Sequence, residues 1–442
     1  MQLSIFKPNF RHLIVGVEEK VPLKDGKTVT GINFDNAAST PPFTSVIKKV
    51  VEFAPWYSSI HRGTGYKSQI SSDLYEKGRD VVADFVKADL REKTVIFVKN
   101  TTDAINKLSY RLLDEYKKGV ILSTEMEHHS NDLPWRKYKI DYVQVDYQGK
   151  LILEDLEQKL KKYRGKVKLV AVTGASNVTG FLNPIYTIAS IAHKYGARIL
   201  VDGAQLVPHT PVKMHNGNDS EELDFLAFSA HKMYAPFGTG VLIGPKEVFQ
   251  KGAPEYVGGG TVAMVTRDII IWDEPPFREE AGSPNVIGVV ALQEAIKTLQ
   301  SVGMENIDKH ERSLTEYALR KLRKIPDIQL YGNHRDSSDR VGIIPFNIRG
   351  MTHEAVAKIL AFEGGIAVRN GCFCAQPYVQ KLLKVNKKDI EKHLQNPKAP
   401  HPGLVRLSFG LYNDYQEVDK LIQLLTKIVE NKAEYIRKYQ RV

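Results

Sequence analysis

Cysteine is nearly missing from this chain: its 442 residues hold two, Cys372 and Cys374. A C-x-C pair builds no four-ligand zinc site without distant partners, and it is poor geometry for a disulfide. No metal is expected. A disulfide-framed secreted domain is excluded, and a reducing cytoplasm is the expected location. The N-terminal segment lacks the apolar core of about 7–15 residues and the small-residue cleavage site of a signal peptide, so none is expected. No apolar run approaches ~20 residues, so no membrane span is expected. Tandem repeats and low-complexity tracts are absent too.

Acidic residues are the minority, 51 against 62 Lys and Arg, which leaves a formal net charge of +11. That balance favours solubility and acidic partners. The basic residues are scattered, however, and their longest clusters are short (159–168 and 384–388). Without an arm or a zinc knuckle, no nucleic-acid partner is expected. What remains is an ordinary globular composition, long enough for a large core and two domains.

From about 94 to 244 the chain alternates strand and helix, the α/β signature. Strands are read at 94–99, 119–124, 168–173, 198–202, 223–228 and 240–244. Lys232 falls in a Gly-rich loop between the last two, not on a solvated helix face. Ser229 and His231 crowd it with donors suited to a phosphate, and the strand at 198–202 ends in Asp202. A lysine able to form a Schiff base, plus an Asp to hold a ring nitrogen protonated, is the minimum equipment for pyridoxal 5'-phosphate (PLP).

Ligands of such sheets sit beyond the carboxyl ends of the strands. His128, Asn177 and Asp202 all fall there. Asn100-Thr101-Thr102-Asp103 opens a helix read to about 116. Asn, Thr and Asp are ordinary caps, but a helix start with free N–H groups also holds phosphate. Beside a Schiff-base lysine it is the expected cradle, with Thr102 as the leading side chain and Thr101 next to it. The His128-His129 pair has no partner at helical spacing for a metal; an imidazole can stack on a pyridine ring and move protons. The amide of Asn177 suits a ring hydroxyl or a substrate carboxylate, or simply a turn.

Residues 12–17 read as a short strand, and 24–27 as the turn of a hairpin. After about 306 the texture becomes α+β, with a helix at 307–325, a strand at 341–348 and a helix at 352–363. The polar stretch 387–403, with Pro397, Pro400 and Pro402, reads as a loop insertion. A last helix, about 415–439, carries an apolar stripe of Val418, Leu421, Ile422, Leu425 and Ile428 that reads as core packing. Arg406 sits in an apolar strand and wants a bidentate carboxylate, either an internal acid or the α-carboxylate of an amino acid. Both cysteines lie in a polar loop with Gly and Pro, where Arg369 is placed to lower a thiol pKa.

The ordered set Asp35-Asn36-Ala37-Ala38, His61-Arg62-Gly63, Thr101-Thr102, Glu127 to Asn131, Ser176-Asn177-Val178, Asp202-Gly203-Ala204-Gln205, Ser229-Ala230-His231-Lys232, Ser283-Pro284-Asn285, Arg369 to Pro377 and Val405-Arg406 resembles the class V aminotransferase superfamily of PLP enzymes. Within it, the chain is most similar to the cysteine desulfurase and selenocysteine lyase branch, over about 33–425. The loop pattern Arg-x-Gly-x-x-Cys-Ala-x-Pro looks like the catalytic-cysteine loop of the second desulfurase group, and the match falls on Cys374. That group commonly has two histidines before this cysteine; here Cys372 and Phe373 stand there. The family's phosphate hydroxyl is often Thr; here it is Ser283.

The resemblance implies an α/β PLP-dependent transferase of fold type I. It has a large domain around a mostly parallel sheet (34–305), a smaller α+β C-terminal domain carrying the Cys loop (306–442), and a lead-in (1–33) packing with the small domain. It implies Lys232, Cys374 and His128 as catalytic residues. Lys232, Asp202, Gln205, His128, Thr101, Thr102, Ser229, His231 and Asn177 would hold the cofactor, with Ser283 reaching the phosphate of the partner subunit in a homodimer. Arg406, Arg369, Asn177 and His61 would meet the substrate. The implied reaction converts L-cysteine to L-alanine and leaves a persulfide on Cys374 for a sulfur-acceptor protein. C–S β-lyase, aminotransferase and epimerase chemistry of the same superfamily, which does not need Cys374, is the alternative.

Overall fold

Runs of Val, Ile, Leu and Phe without polar alternation need cover on both faces, and the chain builds a sheet that provides it. The computed structural model describes residues 9–396 and 401–439. Seven strands form the central sheet: β1 (Lys93–Val98), β2 (Val120–Thr124), β3 (Lys139–Val143), β4 (Val167–Thr173), β5 (Arg198–Asp202), β6 (Phe225–Ser229) and β7 (Gly240–Pro245). Their order is β1-β7-β6-β5-β4-β2-β3. Only β7 runs against the rest, so six strands share one direction. Successive side chains point to opposite faces. Leu226 and Phe228 join one core with Val170, Val172, Ile199 and Val201, while Phe225 and Ala227 join another with Leu169, Ala171 and Leu200. The edge strand β3, with Lys139 exposed, is too polar to have been read as a strand.

A second sheet is wholly antiparallel: β8 (Ile328–Leu330), β9 (Ile343–Ile348), β10 (Arg369–Gly371) and β11 (Leu404–Ser408), in the order β8-β9-β11-β10. Its core is formed by Ile344, Phe346, Val405 and Leu407 against Leu314, Ile359 and the stripe Val418, Leu421, Leu425 and Ile428. The chain is therefore α/β with a mostly parallel central sheet followed by a smaller α+β part. Ile32–Asn33 pairs with Ile366–Ala367, and Asp35 bridges to Ser408, so the segment leading into the large sheet is tied to the small one.

Three local readings are corrected. Residues 12–17 are not a strand: Arg11–Leu13 is a 3-10 turn and Ile14 makes only an isolated bridge to Phe43. The stretch 387–403 is not all loop: Lys387–Gln395 is a helix, started by Asn386, whose side chain accepts from the Asp389 N–H at 2.9 Å. Its prolines at 397 and 400 lie outside the described residues. The last helix is two, Tyr415–Glu430 and Lys432–Tyr439, separated at Asn431. An unread hairpin, Val262–Val265 with Ile270–Trp272, leaves Met264, Val265, Ile270 and Ile271 exposed.

Candidate active site

The carboxyl ends of the parallel strands converge on a cavity of about 350 Å³. β1 delivers Thr101 and Thr102, β2 delivers His128, β4 Asn177, β5 Asp202 and Gln205, and β6 Ser229, His231 and Lys232. The small sheet closes the other side with Arg369, Cys374 and Arg406. Twelve residues singled out from the sequence therefore share one wall-to-wall space. Two do not. His61 is exposed and pairs with Glu76 at 3.0 Å, edge-on to Tyr75 and Phe277. Ser283 is exposed and borders a separate cavity with Tyr75, Lys107 and Tyr256.

Burial pushes the Lys232 ammonium down to about 8, helped by Arg406 and opposed by Asp202 and Cys374. The amine is thus partly neutral near physiological pH, as imine formation requires. Asp202 is 3% exposed and accepts from the Ala204 N–H at 3.0 Å. Desolvation raises its pKa, so a cationic N–H partner would stabilise this carboxylate most. The backbone N–H of Ser130 donates to His128 Nδ1 at 3.1 Å, which leaves the neutral ring's proton on Nε2. Burial, then Lys232, holds His128 down to about 3, so it stays neutral.

At the helix Thr101–Arg111, the Thr101 N–H and Oγ1 meet Ser229 Oγ at 2.8 and 2.7 Å. The Asp103 N–H goes to the capping Asn100 side chain. Among the described residues the Thr102 N–H has no acceptor, and its hydroxyl meets Ser130 Oγ at 2.6 Å. This cup of hydroxyls and N–H groups at the positive end of a helix fits a phosphate. His231, beside it, is held down to about 4 by burial and Lys232.

Two residues lining the same space each hold a buried polar atom with no partner among the described residues. Gln205 donates its amide to the Ala37 carbonyl at 2.6 Å and leaves Oε1 buried without a partner. Arg406 Nε is also buried and unpaired. A ligand combining a phosphate, a cationic ring nitrogen and polar ring substituents matches this donor set, so the residues present fit PLP. Among the described residues no three His, Cys, Asp or Glu side chains gather as a metal site.

Arg406 is 3% exposed. One of its terminal nitrogens donates to the Asn177 carbonyl at 2.9 Å and the other to Asp35 Oδ1 at 3.1 Å. Asp35 is therefore its internal carboxylate. Strands β10 and β11 place Arg369 directly opposite Arg406, a like-charged pair that destabilises a ladder. Asp35 neutralises it, with Oδ2 at 2.9 Å from Arg369. Burial still pushes Arg406 down to about 10.

Cys374 is exposed at the cavity wall. It sits in a four-residue turn closed by the Ala375 N–H on the Cys372 carbonyl at 2.9 Å. Phe373 and Cys374 both have positive φ, +52° and +53°. Glycine and asparagine favour that region; other residues lose roughly 1–2 kcal/mol each there. Cys372 is a different thiol: it donates to the Pro402 carbonyl at 3.1 Å, and burial raises its pKa. It anchors the turn.

Sequence reading missed Asp35 as a counter-ion, Ser130 as part of the phosphate cup, and Glu127. Glu127 is buried and takes three donors, from Thr124 and Asn131 at 2.6 Å and from the Thr173 N–H at 2.9 Å. It joins β2 to β4 below His128. Ser130, two residues after His128 in a strand-end loop, carried a readable signal; the Asp35 contact depends on a pairing 371 residues apart and carried none.

Comparison with known proteins places this geometry. Residues 32–421 match the family model "Aminotransferase class-V". A cysteine desulfurase of Haloferax volcanii is 34% identical over 91% of this chain and 90% of its own length. A probable cysteine desulfurase of Pyrococcus abyssi is 35% identical over 94% and 97%. The apo structure of a cysteine desulfurase from Thermococcus onnurineus NA1 superposes with a TM-score of 0.81 at 32% identity, over 91% of this chain and 95% of that one. For a cysteine desulfurase of Escherichia coli the TM-score is 0.79 at 27% identity, over 96% and 98%. Its fold is thus that of the type I PLP-dependent enzymes, and the chain belongs to the class-V aminotransferase family.

Proposed function

We propose that this chain is a PLP-dependent cysteine desulfurase that converts L-cysteine to L-alanine and carries the sulfur as a persulfide on Cys374. The observation that carries the reading is one cavity holding Lys232, Asp202 and Arg406 together with an exposed thiol. Bound PLP would supply the electron sink that labilises bonds at the substrate's Cα and Cβ. Lys232 would hold it, Asp202 its ring nitrogen, and Thr102, Ser229, His231 and Ser130 its phosphate. Neutral His128 presents an imidazole with its proton on Nε2.

This chain's own groups do the rest. Arg406, a cavity-lining guanidinium whose Nε–H is unpaired among the described residues, would meet the substrate carboxylate. Lys232, with a pKa of about 8, takes and returns the Cα proton. The Cys374 sulfur attacks the substrate sulfur: an S–S bond forms, the Cβ–S bond breaks, and its electron pair takes a proton to give the methyl group of alanine. Covalent capture divides the C–S cleavage into two easier steps. The exposed apolar hairpin, together with Ser283 outside its own chain's cavity, supports a homodimer in which Ser283 faces the partner's site. A sulfur-acceptor protein and a reducing cytoplasm, where Cys374 stays a thiol, complete the reading. So does the division of the chain at 33 and 305.

A product assay tests it. The loaded protein is incubated with L-cysteine, with and without dithiothreitol, and alanine, sulfide and pyruvate are quantified. Alanine matched by dithiothreitol-released sulfide is expected. Cys374→Ser should lose about 10²-fold or more in alanine formation, while Cys372→Ser should keep most of it. Pyruvate as the main product, or wild-type turnover by Cys374→Ser, would move the activity to β-elimination or another reaction that bypasses the thiol.

A further inference from the structure

The turn that carries the thiol is held where its own sequence does not favour it. Phe373 and Cys374 occupy consecutive left-handed positions, at φ +52° and +53°, without a glycine. Such a conformation persists only when its surroundings over-determine it. Both central carbonyls of the turn are tied down. The side-chain amide of Asn177 donates to the Phe373 carbonyl at 2.7 Å. The backbone N–H of His129 donates to the Cys374 carbonyl at 2.6 Å. His129 Nε2 accepts from the Gln376 N–H at 3.2 Å, just beyond the turn.

Asn177 differs from the other latches in what its second end does. Its main-chain carbonyl accepts from Arg406 at 2.9 Å, and the Phe373 ring lies 4.8 Å from the same guanidinium. Residues 177, 373 and 406 therefore close a ring of contacts between the carboxylate-binding arginine and the thiol turn. Asn177 is 7% exposed, so this ring is largely shielded from water. The amide carries two N–H donors, and one of them is committed to the Phe373 carbonyl.

We propose that Asn177 is a positioning residue for the nucleophile: its amide latches the turn bearing Cys374, and its carbonyl ties that turn to Arg406. The proposal rests on the reading of Cys374 as the nucleophile. Displacing a reacting group by about 1 Å costs on the order of 10²-fold in rate, so the latch belongs to kcat rather than to substrate affinity.

Asn177→Asp tests it, since the shape is kept and the donor to the Phe373 carbonyl is lost. Asn177→Ala, which adds no charge, is the second variant should the first fail to fold. Iodoacetamide labelling of Cys374 is followed by mass spectrometry in protein stripped of cofactor, and cysteine turnover is measured in loaded protein. Freed from its latch, the thiol should label at least about threefold faster. The kcat for alanine should fall on the order of 10²-fold with KM within about threefold of wild type, and the absorbance of the bound cofactor should not shift. A raised KM at unchanged kcat would make Asn177 a substrate ligand. A shifted absorbance with unchanged labelling would make it a cofactor ligand. Either outcome overturns the latch. Wild-type turnover by Cys374→Ser would instead remove the reading beneath it, whatever Asn177 does.

Discussion

The amine of Lys232 is the residue on which burial acts most usefully. An ordinary lysine near 10.5 is almost fully protonated at neutral pH, whereas this one is pushed down to about 8, chiefly by desolvation. Imine formation consumes the neutral amine, so loading of cofactor-free protein with PLP should accelerate as pH rises and level off above about 8. The rate is read from the growth of visible absorbance after mixing, between roughly pH 6.5 and 9.5. A rate still climbing tenfold per pH unit at the top of that range would mean that the Lys232 ammonium is unperturbed. His128 contributes nothing to this profile, because it stays neutral down to about 3. The residue types of the site were legible because five strand ends deliver one to three chemistry-bearing side chains each at a strand-to-loop boundary. Their hydrogen bonds were not. Asn177 lines the cavity as expected of a ligand-facing residue, and its amide also donates to the Phe373 carbonyl, 196 residues away.

At the scale of elements, the phosphate cup depends on how closely the start of the helix Thr101–Arg111 approaches β7. Gly240 makes that approach feasible: a Cβ there would lie 2.6–2.9 Å from the backbone of Asn100, the helix cap. Backbone cannot give way as a side-chain tip can. Gly240→Ala should therefore push the cap from the sheet and cost about 1–3 kcal/mol. It should appear as a lower denaturant midpoint and as faster loss of PLP on dialysis, since the Thr102 N–H moves with the cap. Unchanged retention of PLP would show that the cup does not need this contact. Buried strands were readable as continuous apolar runs, and β4, β5 and β6 fall within two residues of where the sequence puts them. The polar edge strand β3 and the helix Lys387–Gln395 were not, because one takes its order from pairing with β2 and the other carries only Ile390 and Leu394 as apolar residues in a polar, proline-flanked stretch. The facing of Arg369 and Arg406 was equally invisible, as strands 37 residues apart must pair in one register before Asp35 can serve both.

For the molecule as a whole, the unfinished surface is the hairpin Val262–Val265 with Ile270–Trp272. Val265, Ile270 and Ile271 are 59%, 53% and 49% exposed, and Tyr256 and Val257 nearby are open as well. Large apolar side chains left exposed on both faces of one hairpin mark an interaction surface. On the proposed homodimer reading a second copy would cover it, which would also account for Ser283, a hydroxyl on the border of a different cavity from the one it is expected to serve. Each chain carries a net charge of +11, so two copies repel at long range and burial of apolar surface must outweigh that repulsion. Light scattering after size exclusion should then give about twice the 49.8 kDa chain mass, with the dimer fraction at low protein concentration rising as salt screens the repulsion. The double variant Val265→Asp, Ile270→Asp should shift the protein to monomer and weaken PLP retention along with it, because the partner's hydroxyl is withdrawn from the phosphate. Ser283→Ala should weaken retention while leaving the dimer intact. A dimer that survives the double variant would place the interface elsewhere on the surface. A monomer that keeps PLP and full turnover would mean that each chain completes its own site.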